Sequence, residues 1–539
     1  MSLSNPATTR RGNRSNEPVL SRTALFYNRH LDGRRLRSIL LTTGWCDRDG
    51  VAGDWCPNWR LRSRGSGLSL DDASRRKDVS LRRFVLILWL AGASGALPLR
   101  ADWQVPLASK KLANGLVVVV SEDHSAPTFG VCVSYGIGFR LEPEGRTGFA
   151  HLFEHMMFEG TPNAPKGVFD QVIEGGGGFN NGDTRYDFTE YIESAPVSAL
   201  EPVLWLEADR MKTLDFSDAN LDNQRKVVEE EVRVNVLNQP YGSFYWLELP
   251  QKAFTRFPNA HNFYGDFRDL DAATIQDVQS FYEQYYAPNN AVLAVAGDVK
   301  PEQVFAAAEK YFGSIPSRQV PARPDVSEPP QTSERRFTEP DSLARVPALA
   351  IGYRMPARNS PDAIAGAVVG ELLHNGDASL LYQELVKEKK VALSVSGGLN
   401  WPLGNPFEYN GPTLMTSFIV YPPNVTQDQV SGAYADVVNN LTTRGPSAAE
   451  MERIKAKMQS DWYSQLEIPI QRASVIAHAT LFDGSPEGVN QIPAEIDRVT
   501  PEDVKAFAAK YLVDSNATII DRVPEALLKT AKGGKEAQQ

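Results

Sequence analysis

The sequence predicts an α+β fold built from two related halves. Three observations carry this. Helical and strand patterns alternate in blocks along a chain of 539 residues, 42% hydrophobic and 23% charged, enough for a large core in two or more domains. A segment also recurs at a constant offset of 226. Thr274-x-x-Asp277-Val278-x-x-Phe281-x-x-x-Tyr285-x-x-x-x-Asn290-Ala291 returns as Thr500-x-x-Asp503-Val504-x-x-Phe507-x-x-x-Tyr511-x-x-x-x-Asn516-Ala517. Each copy reads as a capped helix followed by a strand. Between the copies a proline-rich stretch, Pro316 to Pro330, reads as a semi-extended linker. The expected layout is a first domain over 102–318, a linker over 319–335 and a second domain over 336–535.

Residues 1–83 stand apart. They carry 16 Arg, one Lys and eight acids, a net charge of about +9 against −10 for the whole chain, so the remainder is at about −19. Arg82-Arg83 is followed by the apolar run Phe84–Ala93 and then Ser94-Gly95-Ala96. That order is a basic flank, a short apolar region and a small-residue cleavage site, a signal peptide over 79–101. The run is too short for a membrane span. Residues 1–78 then read as a basic leader ahead of the true start, and the mature chain as exported, periplasmic or secreted. The rival reading of the Arg- and Ser-rich first 40 residues is a mitochondrial transit segment. Cys46 and Cys56 fall in the leader, leaving Cys132 alone. No intramolecular disulfide is then possible in the mature chain, and no cysteine-based zinc site is suggested. The acidic remainder argues against a nucleic-acid partner.

The chemistry begins at His151-Leu152-Phe153-Glu154-His155. Residues four apart share a helix face, so both imidazoles can reach one metal ion, with Glu154 beside it. With only seven histidines in the chain, an H-x-x-E-H is rare by composition. Its apolar flanks, Gly148-Phe149-Ala150 and Met156-Met157-Phe158, suggest a buried helix, where such side chains are costly without a partner such as a metal. Two histidines and a carboxylate are the ligand set of a catalytic zinc, and a free carboxylate nearby is the general base of a metallopeptidase.

Downstream, Gly175–Gly178 predicts a turn before Phe179-Asn180-Asn181-Gly182. Tyr186–Ile192 alternates and is rich in aromatic and β-branched residues, as a strand would be. An edge strand there can take an extended peptide by β-addition. Glu229, Glu230 and Glu231 then run together on a helical segment. Successive helix residues are about 100° apart, so only one of them can face a metal.

The stretches Thr147–Thr161, Gly175–Pro196 and Leu221–Gly242 resemble the active-site helix, glycine-rich turn with edge strand, and third-ligand helix of the inverzincins. These are the insulinase/pitrilysin-like metallopeptidases, and the length and two-part layout are similar to the mitochondrial-processing-peptidase-like branch. The resemblance covers about residues 105–535. It implies two homologous halves, each a mainly antiparallel sheet packed with helices, together forming half of a clam-shell chamber. It implies one Zn2+ per chain on His151, His155 and Glu231, with Glu230 as the alternative third ligand and Glu154 as general base. The family usually has a glutamate seven residues before the third ligand; here Gln224 stands there, so outer support of the zinc would be uncharged. Asn181-Gly182 takes the place of an Asn-Ala step that contacts the cleavage point. Because a closed chamber needs four halves, a homodimer or a heterodimer with a zinc-free paralogous subunit is implied. An Arg/Tyr pair expected from the second half has tyrosine candidates, Tyr382 and Tyr409. No arginine lies on the strand Leu414–Tyr421, and Leu380 stands where relatives often carry one.

The expected function is zinc-dependent endopeptidase action on peptides or extended segments. The alternatives are a non-catalytic or partner-dependent subunit of a heterodimeric processing peptidase, and an enzyme dedicated to one precursor. His124, His261, His374 and His478 read as ordinary histidines.

Overall fold

The computed structural model describes residues 103–528. The leader and signal-peptide expectations lie outside that range. Among the described residues no helix is long and apolar enough to cross a membrane.

The first half is a six-stranded sheet. Its strands are β1 (Ala108–Lys111), β2 (Val117–Glu122), β3 (Thr128–Tyr135), β4 (Phe179–Thr184), β5 (Thr189–Pro196) and β6 (Ala291–Gly297), in the spatial order β1-β2-β6-β3-β5-β4. Of its pairings, that of β2 with β6 is parallel and the others are antiparallel. Helices of eight residues or more in this half are α1 (Phe149–Met156), α2 (Leu200–Lys212), α3 (Asp218–Val232), α4 (Ile275–Tyr285) and α5 (Pro301–Phe312).

The second half repeats the plan. Strands β7 (Arg335–Asp341), β8 (Ala348–Met355), β9 (Ser394–Leu399), β10 (Thr413–Val420) and β11 (Ala517–Pro524) are ordered β7-β11-β8-β10-β9, with β7 and β11 the parallel pair. This is the first sheet's order without β1. The accompanying helices are α6 (Ala363–His374), α7 (Gln427–Arg444), α8 (Ala448–Glu467), α9 (Pro469–Asp483), α10 (Gly488–Arg498) and α11 (Pro501–Tyr511).

The sequence repeat has a physical basis in this plan. Thr274 and Asp277 form a reciprocal capping box that starts α4, and Thr500 and Asp503 do the same for α11. Each helix ends at a tyrosine whose carbonyl accepts from the amide of the asparagine five residues on. Asn290 Nδ2 reaches Tyr285 O at 2.9 Å, and Asn516 Nδ2 reaches Tyr511 O at 2.8 Å. That bond satisfies a helix-terminal carbonyl and aims the chain into β6 or β11.

Strands β2, β3 and β6 read as near-continuous apolar runs because both faces of the first sheet are covered. Val118, Val131, Val133, Tyr191 and Leu293 pack with α1 and α4 in the core of the first half. On the opposite face Val119, Cys132, Ala294 and Ala296 meet Ala473, Ile476 and Ala477 of α9, a helix supplied by the second half. A Cβ at Gly130 would stand 2.4 Å from Ile470 Cα and N, so glycine is required where α9 crosses β3. The first half returns the exchange. Its segment Phe244–Phe254 covers Ala348, Ala350, Leu414 and Ile520 on the back of the second sheet.

One expectation is corrected here. The alternating stretch Tyr186–Ile192 is not the edge. Its strand portion belongs to β5, which lies between β3 and β4, while Tyr186 and Asp187 precede that strand. The edge is β4, formed by Phe-Asn-Asn-Gly-Asp-Thr directly after the glycine turn. Asn, Gly and Asp disfavour strands, so local propensity points to a turn, but pairing with β5 overrides it.

Candidate metal centre

Helix α1 starts without a side-chain cap of its own. Gly148 takes a left-handed conformation (φ 82°), and the Glu142 carboxylate accepts from Gly148 N at 2.8 Å and Ala150 N at 2.7 Å. This places a carboxylate at the positive end of the helix and satisfies two of its free donors. His261 Nε2 stands 3.2 Å from the same carboxylate. Every residue of α1 is buried, so His151, Glu154 and His155 point into the protein rather than into water.

Helix α3 supplies the opposing group. Ser217 caps it, and its inner face repeats at Leu221, Gln224, Val228 and Glu231. Glu231 Oε2 lies 3.4 Å from His151 Nε2 and 3.4 Å from His155 Nε2. Glu229 and Glu230 turn away and pair with Arg233. Of the three acids, Glu231 is the one that meets the histidines.

The outer contacts fix these side chains. Gln224 Oε1 stands 3.2 Å from His155 Nδ1, and Gln224 Nε2 donates to Glu159 at 2.5 Å. With Nδ1 so engaged, His155 presents Nε2 to Glu231. Tyr264 donates to Glu231 Oε1 at 3.3 Å, and the rings of Phe263 and Tyr264 flank His151. Thr184 of β4 donates to Glu154 Oε2 at 2.7 Å, an oxygen that is also 3.4 Å from His151 Nδ1. Sequence reading missed Glu142, Glu159, Thr184 and Tyr264. Each acts across a tertiary contact and carries no local spacing signal.

Buried His151 Nε2, His155 Nε2 and Glu231 Oε2 have no hydrogen-bond partner. Three convergent, unpartnered ligand atoms of this chemistry fit a divalent cation. Their 3.4 Å spacings match the roughly 3.3–3.8 Å expected between tetrahedral zinc ligands. The electrostatics agree. Burial opposes a charge on His151, but the Glu231 and Glu154 carboxylates outweigh it and raise its pKa to about 10. Burial also opposes the charge on Glu231, yet the two imidazoles hold its carboxyl well below the usual range. The acids thus create a cavity that demands positive charge, as proton or as metal.

Strand β4 runs alongside. Asn181 and Gly182 pair with Ile192 and Tyr191 of β5, and the other edge of β4 has no strand partner among the described residues. A Cβ on Gly182 would come within 2.8 Å of Glu154 Cγ, so this glycine lets the strand edge approach the acid. The second-half tyrosines are engaged within their own half. Tyr409 is buried in that core, and Tyr382 lies under Lys387.

Residues 117–256 match the family model described as insulinase (peptidase family M16), and residues 272–458 match that of the peptidase M16 inactive domain. The chain belongs to the insulinase-like family of metallopeptidases, peptidase family M16. Within the M16 family it is 28% identical over 419 residues to the zinc protease PqqE of Helicobacter pylori, covering 76% of this chain and 91% of that one. It is 25% identical over 417 residues to a probable mitochondrial-processing peptidase subunit beta of Arabidopsis thaliana, covering 76% of each. The crystal structure of a protease from Helicobacter pylori superposes with a TM-score of 0.73 at 27% identity, over 78% of this chain and all of that one.

Proposed function

We propose that this M16 protein is a zinc-dependent endopeptidase acting on peptides or extended protein segments. The observation that carries the reading is the buried meeting of His151, His155 and Glu231, with their ligand atoms unpartnered, beside Glu154 and an unpaired strand edge. His151, His155 and Glu231 would hold one Zn2+. Bound there, zinc would supply Lewis acidity and lower the pKa of water to about 7.

The chain's own groups do the rest. The free edge of β4 takes the substrate backbone as an added strand, reading main chain before side chain. Asn181 and Gly182 set that strand against Glu154. Glu154 accepts a proton from the attacking water and returns it to the leaving amine. Thr184 fixes one of its oxygens, leaving the other for the transfer. Gln224 holds the His155 tautomer, and Tyr264 holds Glu231. Export rests on the basic flank and apolar run before residue 102.

A second reading, a partner-dependent subunit, is favoured by β10, Thr413–Val420, which carries no arginine to stabilise a reacting carbonyl. Hydrolysis of a quenched mixed-sequence peptide by the purified protein with zinc decides between them. The expected result is cleavage by the wild type, with Glu154→Gln retaining zinc at this site and losing roughly 10²–10⁴-fold in rate. Near wild-type cleavage by Glu154→Gln would remove the base from the mechanism. Bound zinc without cleavage by the wild type would favour the partner-dependent subunit or an enzyme dedicated to one precursor.

A further inference from the structure

A second cluster of metal-binding chemistry lies on the opposite face of the first sheet. Along β5, Tyr191 and Glu193 face α1 and α2, whereas Glu190 faces α9. Glu190 Oε2 lies 3.1 Å from Cys132 Sγ of β3 and 3.1 Å from His478 Nε2 of α9. All three residues are buried, and one thiol, one carboxylate oxygen and one imidazole nitrogen lie within 4.8 Å of one another. His478 is only 3% exposed, and neither of its ring nitrogens makes an aligned hydrogen bond.

We propose that Cys132, Glu190 and His478 form a second site for a thiolate-binding divalent cation of the Zn2+ type, linking the two halves of the chain. The donor set is one that zinc and its chemical relatives take, and the thiol excludes hard cations such as Mg2+ or Ca2+. The 3.1 Å spacing of Glu190 and His478 is within a few tenths of an ångström of a tetrahedral N···O separation, and that of Glu190 and Cys132 would widen by about half an ångström on binding. Outer support is in place. Ser474 donates to Glu190 Oε2 at 2.9 Å. Glu408 Oε1 stands 3.8 Å from His478 Nδ1, beyond direct hydrogen-bond distance but close enough to favour positive charge at the imidazole. Phe188 packs against the imidazole at 4.0 Å between ring centroids and sets its orientation. His478 and Glu408 also line a cavity of about 370 Å³ beside the cluster.

The simpler account is a metal-free cluster in which Glu190 pairs with His478 and accepts a hydrogen bond from the Cys132 thiol. Cobalt separates the two. The site at His151, His155 and Glu231 contains no sulfur, so a near-ultraviolet thiolate-to-cobalt charge-transfer band can come only from a cysteine. The experiment uses the full chain with Cys46→Ser and Cys56→Ser, so that Cys132 is its sole thiol, stripped of metal and titrated with Co2+. Two equivalents are expected to bind, with the thiolate band developing for one of them. That band should persist in Glu231→Gln and be lost in His478→Gln, which keeps one equivalent. A titration that ends without the band would overturn the proposal, as would a band that survives His478→Gln. Should His478→Gln fail to fold, the parent protein and Glu231→Gln still decide between the two accounts by the presence or absence of the band.

Discussion

The two halves share one strand order and differ in what stands on it. After β3 the first half places α1, with His151, Glu154 and His155 turned inward. After β8 the second half places α6, Ala-Ile-Ala-Gly-Ala-Val-Val-Gly-Glu-Leu-Leu-His, against β9. Each half brings a glycine of its edge strand onto that helix. A Cβ at Gly182 would meet Glu154, and a Cβ at Gly397 would meet His374 at 2.6 Å. The difference is polar satisfaction. In the second half His374 Nδ1 lies 3.0 Å from Gly370 O and Nε2 lies 2.7 Å from Ser417 Oγ, so neither nitrogen is free to take a ligand. In the first half the corresponding helix leaves both ring nitrogens of His151 and Nε2 of His155 unpartnered. One scaffold thus carries either a packed core or a set of open ligand atoms, according to whether its polar groups have partners within the protein.

The sharpest way to break this comparison is to remove one histidine from each half. His151→Ala should abolish zinc at the first-half site and reduce peptidase activity to background, whereas His374→Gln should leave both within about twofold. Metal analysis and peptide turnover on folded protein check both, and equal losses would end the contrast. Next in size are the paired glycines. Gly182→Val presses a branched side chain on Glu154 and should lower kcat by roughly ten- to a hundredfold. Gly397→Ala should cost stability while leaving the turnover of the folded fraction unchanged. Steady-state kinetics beside thermal unfolding separate these outcomes.

A smaller effect tests the helix exchange. At Gly130 an added methyl meets the backbone of α9, which cannot yield locally. At Gly352 it meets Leu249 Cδ2 at 2.9 Å, the tip of a flexible side chain. Gly130→Ala should therefore destabilise by about 3 kcal/mol or more and Gly352→Ala by about 1 kcal/mol, as measured by denaturant unfolding. A further test, confined to acid pH, is the titration of His374. Burial depresses its pKa to about 4 from an ordinary 6.5, so the unfolded chain binds the extra proton first. Its contribution to stability is complete above pH 6.5 and falls away as the pH drops towards 4, by on the order of 2–3 kcal/mol. His374→Gln should flatten the stability profile in that window, and an unchanged slope would refute the assignment.

The local signals in the sequence are strong where chemistry depends on spacing along one element. The pair His151/His155, its companion Glu154, the face shared by Gln224 and Glu231, and the Thr/Asp capping boxes are all set by helix periodicity. The inter-half contacts are not legible. Nothing near Gly130 announces a helix that arrives from residues 469–483, and nothing in Cys132 foretells Glu190 and His478. The edge strand escapes sequence reading for the same reason, since β4 exists through its partner rather than its own propensities. Glu142 escapes it because a cap seven residues before its helix looks like any loop acid.

The helix exchange has a consequence for how the protein is made. The apolar back face of the first sheet is complete once β6 has been synthesised, but the helix that covers it, Pro469–Asp483, ends roughly 190 residues later. At about 5–20 residues per second, that surface stays bare on the nascent chain for on the order of ten to forty seconds. The first half therefore emerges with an apolar sheet face exposed, a surface open to association until residues 469–483 arrive.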